Sequence, residues 1–203
     1  FPFGHNLNNY VSGENSTKGI FKYKYGHHLG DIDCYNGYLF VPVSDDGNPY
    51  IAVFSTKDIH KCIATNKMKL PNGKNFSDLG WLVINPNNGL LFTSNGDINK
   101  DKPIYVYSID FEAIKLSRAD FLKIYTQVNI VDEEKDDNMT RGCMQGGCFD
   151  NNNNLHLCNG FWKKEHSNKK GGITVFEIPN LSYNPNSIVV VQIKARSNQS
   201  HDF

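Results

Sequence analysis

Three stretches of this chain follow one pattern, and no other feature of the sequence limits its fold as much. Leu29-Gly30-Asp31-Ile32-Asp33-Cys34-Tyr35-Asn36-Gly37 leads into Tyr38-Leu39-Phe40-Val41-Pro42-Val43. Leu79-Gly80-Trp81-Leu82-Val83-Ile84-Asn85-Pro86-Asn87-Asn88-Gly89 leads into Leu90-Leu91-Phe92-Thr93-Ser94. Gln145-Gly146-Gly147-Cys148-Phe149-Asp150, followed by four asparagines, leads into Leu155-His156-Leu157-Cys158. Each stretch is a short apolar strand, a turn of Asn, Asp and Gly, and a second strand. Asn and Gly tolerate the positive φ that tight hairpins require. A third strand follows each time, at 50–54, 103–107 and 172–176, and a fourth, more exposed strand is expected around 62–69, 121–130 and 188–195. Insertions at 95–102 and 161–170 fall between the second and third strands. Residues 132–142 form a charged linker, and only 111–122 carries a helical pattern, worth one or two turns.

Four antiparallel strands per repeat, the first of them apolar along its length, describe a β-propeller blade. The expected class is therefore all-β, with three full blades at 27–72, 73–131 and 140–196. Residues 1–26 are expected to hold an N-terminal arm and the outer strand of a preceding blade, and 197–203 the start of the next. Propeller rings need about four to eight blades. Three blades are thus expected to be completed by a second copy of the chain, by another chain, or by a segment beyond this one. A four-bladed ring closed by the termini is the alternative. The opening Phe1-Pro2-Phe3, without an initiator Met, fits a processed product or a piece of a longer chain.

Composition removes several functions. Lys plus Arg is 21 and Asp plus Glu is 21, so the chain has no net charge with which to hold a phosphate backbone, and nucleic acid is not an expected partner. No apolar run approaches the roughly 18 residues of a membrane span. Aromatic residues at 12% on a polar background suit a sheet protein with wet loops. Asparagine is the commonest residue, at 26 of 203, and sequons stand at Asn15, Asn75, Asn138, Asn180 and Asn198. They suit an extracellular or secretory compartment, the cytoplasm being the alternative, although so Asn-rich a chain makes sequons by accident. Five cysteines, Cys34, Cys62, Cys143, Cys148 and Cys158, leave at least one thiol unpaired, and none forms a Cys-x-x-Cys pair. Cys148 and Cys158 flank a hairpin turn and face each other across it or, on the blander reading, lie buried as free thiols.

The phrases Gly30-Asp31-Ile32-Asp33, Gln145-Gly146-Gly147-Cys148-Phe149-Asp150 and Gly171-Gly172-Ile173-Thr174-Val175-Phe176-Glu177-Ile178 resemble blades of six-bladed propellers. The group is the broad one holding gluconolactonase, paraoxonase and NHL-repeat proteins, and the likeness covers roughly residues 27–196. It implies a site at the mouth of a central channel, where first strands converge. In the metal-dependent hydrolases of that group a calcium ion sits in the channel on Glu, Asp and Asn side chains. Asp31 matches such a ligand position, and the corresponding positions of the second and third blades hold Trp81 and Gln145.

The residues opening each first strand are the candidate site. His28 and Asp31 are the candidate catalytic groups, and Asp31 with His27, Asp33 and Asp202 the candidate metal ligands. Trp81, Gln145, Arg141 and Trp162 are the candidate ligand-binding residues, Trp162 standing on a basic loop with Phe161. Asn85 and Asp150, at the first-to-second strand turns, read better as turn caps. The expected function is a binding module that recognises a small ligand, a glycan or a partner at the channel mouth and loops. The alternative is a calcium-dependent lactonase or esterase, in which a cation polarises the substrate and a His or Asp moves the proton.

Overall fold

A computed structural model describes residues 28–44, 48–99, 102–131, 144–159 and 172–198. They are all-β, arranged as three four-stranded antiparallel meanders with one short helix. The first meander runs β1 (His28–Leu29), β2 (Asp33–Tyr35), β3 (Tyr38–Ser44), β4 (Tyr50–Ser55) and β5 (Asp58–Lys67). β1 and β2 both pair with β3, so they are two halves of one first strand. Leu29 stands opposite Val43 and Asp33 opposite Phe40, which leaves residues 30–32 to face residues 41–42. That extra residue is a bulge, and it lies beside Pro42, which has no N–H to give to a ladder. The β2–β3 turn is the one its sequence predicts, with Asn36 at φ 50° and Gly37 at φ 79°.

The second meander is β6 (Val83–Ile84), β7 (Leu91–Asn99), β8 (Lys102–Ile109) and β9 (Leu122–Val131), with helix α1 (Phe111–Lys115) between β8 and β9. Asp110 caps that helix by accepting from the Ala113 N–H, and the helix makes one turn, within the one or two expected of residues 111–122. The expected insertion at 95–102 is instead an extension of the β7–β8 hairpin, closed by the Asn99–Lys102 pair. The third meander is β10 (Met144–Phe149), β11 (Asn154–Asn159), β12 (Gly172–Glu177) and β13 (Ile188–Asn198).

Packing follows the period of two. In the second meander Ile84, Leu91, Tyr105 and Tyr107 face the first and bury against Phe40, Ile51 and Val53. Val83, Phe92, Ile104 and Val106 face the third and bury against Leu155, Leu157 and Phe176. A strand covered on both sides must be apolar at every position. One feature departs from separate blades. Residues 188–192 of β13 pair in parallel with β9, and its later residues pair antiparallel with β12, so the second and third meanders form one eight-stranded sheet. The described strands close no ring. The strand expected at 17–26 and the one expected at 200–203 lie outside the described residues. Among the described residues no helix is long and apolar enough to cross a membrane.

Candidate functional site

The three first strands meet where the sequence places its candidate residues. At the bulge the chain turns its hydrogen bonding from its own sheet to the next: the Asp31 N–H donates to the Gly80 carbonyl at 3.2 Å, and Asp31 and Trp81 form a parallel bridge. Glycines permit the approach, since a Cβ at Gly30 would collide with the Gly80 carbonyl and one at Gly80 would stand 3.1 Å from the Met144 oxygen.

The two carboxylates bind backbone. Asp31 Oδ2 accepts from the Gly147 N–H at 3.1 Å and so ties the first meander to the third. Asp33 Oδ2 accepts from Ile84 N–H at 2.7 Å, tying the first to the second, and its Oδ1 accepts from Cys34 N–H at 2.7 Å. Burial pushes both acids above the ordinary aspartate range; the same N–H groups pull them back, and for Asp33 the neighbouring Asp31 charge adds to the rise. Asp33→Ala leaves two backbone donors without their acceptor and is expected to cost about 1–3 kcal/mol. Asp33→Asn keeps one acceptor oxygen and is expected to cost less than Asp33→Ala. Paired urea titrations measure the difference, and equal costs would show that the two N–H bonds contribute nothing.

Trp81 is 1% exposed, its indole N–H donating to Ser94 Oγ at 2.8 Å. It is a packed core residue and presents no face to a ligand. His28 pairs with Ser44 in β1, and Gln145 lies in β10. His27, Arg141, Trp162 and Asp202 lie outside the described residues. A calcium ion needs about six to eight oxygens; among the described residues both Asp33 oxygens are taken by N–H groups, and the two positions matching Asp31 hold Trp81 and Gln145. Among the described residues no three His, Cys, Asp or Glu side chains converge on a common point.

No protein-family model matches this chain, and no curated protein does. Its chemistry therefore has to be read from its own residues, and two further places stand out.

The first is the outward face of the third meander. Asp150 holds the β10–β11 turn, accepting from the backbone N–H groups of Asn152 and Asn154 (both 2.9 Å) and from Asn154 Nδ2 at 2.7 Å. These bonds, chiefly those of Asn154, hold its carboxyl well below the usual range. The same Asp150 oxygen lies 3.2 Å from His156 Nε2. Cys148 and Cys158 are exposed on this face, contrary to the expectation of buried thiols. They are not directly opposite either: Cys148 faces His156 and Cys158 faces Gly146. Burial and the negative charge of its neighbours, Cys158 first and then Asp150, Asp31 and Asp33, push the Cys148 thiol up.

The second is a groove of about 550 Å³ between the first and second meanders. One wall is β5 and the chain after it, with Thr65, Lys67 and Lys69; the other is β9 with Leu122 and Ile124; Tyr107 closes the bottom. Tyr107 is buried and donates its hydroxyl to the Lys69 carbonyl at 3.2 Å. Asn66 locks the wall by accepting from Leu122 N–H at 3.1 Å. Asp120 at the rim is engaged by both Arg118 Nε (3.1 Å) and Nη2 (2.8 Å). Lys67 and Lys69 are exposed, and no carboxylate among the described residues pairs with either. The groove has no local signal in the sequence, because its walls come from residues 65–71 and 107–124, which meet only through sheet packing.

Proposed function

We propose that this chain is a binding module built from propeller-type blades, and that its ligand is a small molecule with an apolar body and an anionic group. The groove between β5 and β9 carries the reading. Tyr107 at its bottom and Leu122 and Ile124 on its β9 wall offer surface to an apolar body, and Lys67 and Lys69 stand at its edge as cations without carboxylate partners among the described residues. A pocket with a few convergent polar groups over apolar walls is the usual form of a small-ligand site. The carboxylates at the first strands favour the same conclusion over metal-assisted hydrolysis, because they hold backbone N–H groups of neighbouring sheets.

Anilinonaphthalene sulfonate is a suitable probe, being an aromatic body with one anionic group. Its fluorescence titration is expected to saturate at one site per chain. Lys67→Glu with Lys69→Glu is expected to weaken binding at least about tenfold, equivalent to 1.4 kcal/mol. Unsaturable binding, or equal affinity in the double variant, would overturn the groove as the site. Calcium-dependent hydrolysis of lactones or esters by the purified chain would favour the hydrolase instead.

A further inference from the structure

We propose that the ligand of the β5–β9 groove is a short extended peptide of alternating apolar and acidic residues, added in parallel to the outer edge of β5 as one more strand. The inference rests on that groove as the binding site and names the class of molecule that fills it. In the first meander Phe40 pairs with Val53 and Val53 with Ala64; in the second Phe92 pairs with Val106 and Val106 with Thr126. Thr65 of β5 thus corresponds to Gln127 of β9, and Lys67 to Asn129. At Gln127 the outer edge is covered. Its N–H donates to the Ser187 carbonyl at 3.2 Å, and Ile188–Gln192 continue alongside as a parallel strand. That strand turns Val189 and Val191 into the core between the second and third meanders and leaves Ile188 and Val190 exposed.

Among the described residues β5 has no such neighbour. The connection between β8 and β9 forms α1 instead, and it buries Ala113, Ile114 and Phe121 in the core of the first two meanders. Met68 N–H donates to the Pro49 carbonyl at 2.9 Å, so in the β4–β5 ladder Ile51 with Asn66 and Val53 with Ala64 are the hydrogen-bonded pairs. Thr65 and Lys67 alternate with them and turn their N–H groups away from β4, and both residues line the groove. The Thr65 carbonyl faces the same way, whereas the Lys67 carbonyl accepts from Asn66 Nδ2 at 3.0 Å. An open strand edge of this kind is what peptide recognition by strand addition uses.

The side chains of an added strand lie beside their partners on the same face. Those beside Ala64 and Asn66 face the second meander, where Tyr107, Leu122 and Ile124 offer apolar surface, so they are apolar, as Val189 and Val191 are. Those beside Thr65 and Lys67 meet exposed lysines at 67 and 69, while Asp120 at the rim is engaged by Arg118. These positions are acidic.

Fluorescence anisotropy of a short labelled peptide of alternating Val and Glu, added to the full chain, tests this. The peptide is expected to bind at one site and to displace anilinonaphthalene sulfonate. In this register the Val amides face β5, as those of Val189 and Val191 face β9. N-methylating the Val residues is therefore expected to weaken binding at least about tenfold, and N-methylating the Glu residues to leave it. Lys67→Glu with Lys69→Glu reverses the preference, towards a peptide of alternating Val and Lys. In hydrogen exchange the amides of Thr65 and Lys67 slow at least about tenfold when the peptide binds. Equal binding of the two N-methylated peptides, no preference for Glu over Lys, or unchanged exchange at Thr65 and Lys67 overturns strand addition. Saturable dye binding that the peptide does not displace overturns the peptide and leaves the groove as the site; if the dye does not saturate either, both readings fall.

Discussion

Trp81→Ala is expected to destabilise the chain by about 3–5 kcal/mol, the range for removing a buried large aromatic. The side chain is 1% exposed and packs in the core between the second and third meanders with Val83, Phe92 and Met144. Its N–H is satisfied by Ser94, and its own carbonyl accepts from Thr93 Oγ1 at 2.6 Å. Domains of this size are stable by roughly 5–15 kcal/mol, so the loss is a large share of the total. Trp81→Phe keeps most of the packing and forfeits the indole bond, and is expected to cost about 1 kcal/mol in that bond plus a smaller packing loss. Urea unfolding with an unchanged m-value measures both. A cost below about 1 kcal/mol for Trp81→Ala would mean the ring lies against solvent or a ligand space rather than in the core.

Gly30→Ala is expected to cost at least about 3 kcal/mol, at the upper end for overpacking. The added Cβ would land on the carbonyl of Gly80 and would also stand 3.0 Å from Pro42 Cγ. The obstacle is backbone, so no rotamer change relieves it. The first strand would have to withdraw, and the Asp31–Gly80 hydrogen bond would go with it. Gly80→Ala meets only the Met144 oxygen, at 3.1 Å, and is expected to cost less. Melting temperatures of the two variants give the order. At about 2–4 °C per kcal/mol for a chain of this length, Gly30→Ala should melt some 6–12 °C below the parent. The reverse order would contradict the close approach of the three first strands.

The sheets were legible because their signals are local. Apolar runs such as Tyr50–Phe54 and turns such as Asn36-Gly37 act within a few residues, and the strands lie where those patterns stand. The length of α1 was less legible, because the Asp110 cap and the return to β9 at Leu122 decide it. The role of Gly30 was invisible in the sequence, since its neighbour Gly80 is fifty positions away. The same is true of the candidate sites. Asp31 and Asp33 drew attention as carboxylates in an apolar strand, but their partners at Gly147 and Ile84 come from other repeats. Cys148, His156 and Cys158 come to share a face only once the β10–β11 register is known. In the sequence the two cysteines merely flank a turn, and His156 carries no signal of its own.

The division of β13 between two neighbours bears on how the molecule comes apart. Its first half covers the outer edge of β9 and its second half the outer edge of β12, so one segment screens two rows of backbone groups that would otherwise template aggregation. Detaching it exposes both rows at once. In native-state hydrogen exchange, the amides of Val128–Val131 and those of Thr174–Phe176 should therefore lose protection in a single opening event, although almost fifty residues separate them. Among the described residues the first meander has no such strap, and its strands should open at their own, lower free energy. Limited proteolysis would then release that part of the chain first and leave the strapped pair of sheets as the resistant core.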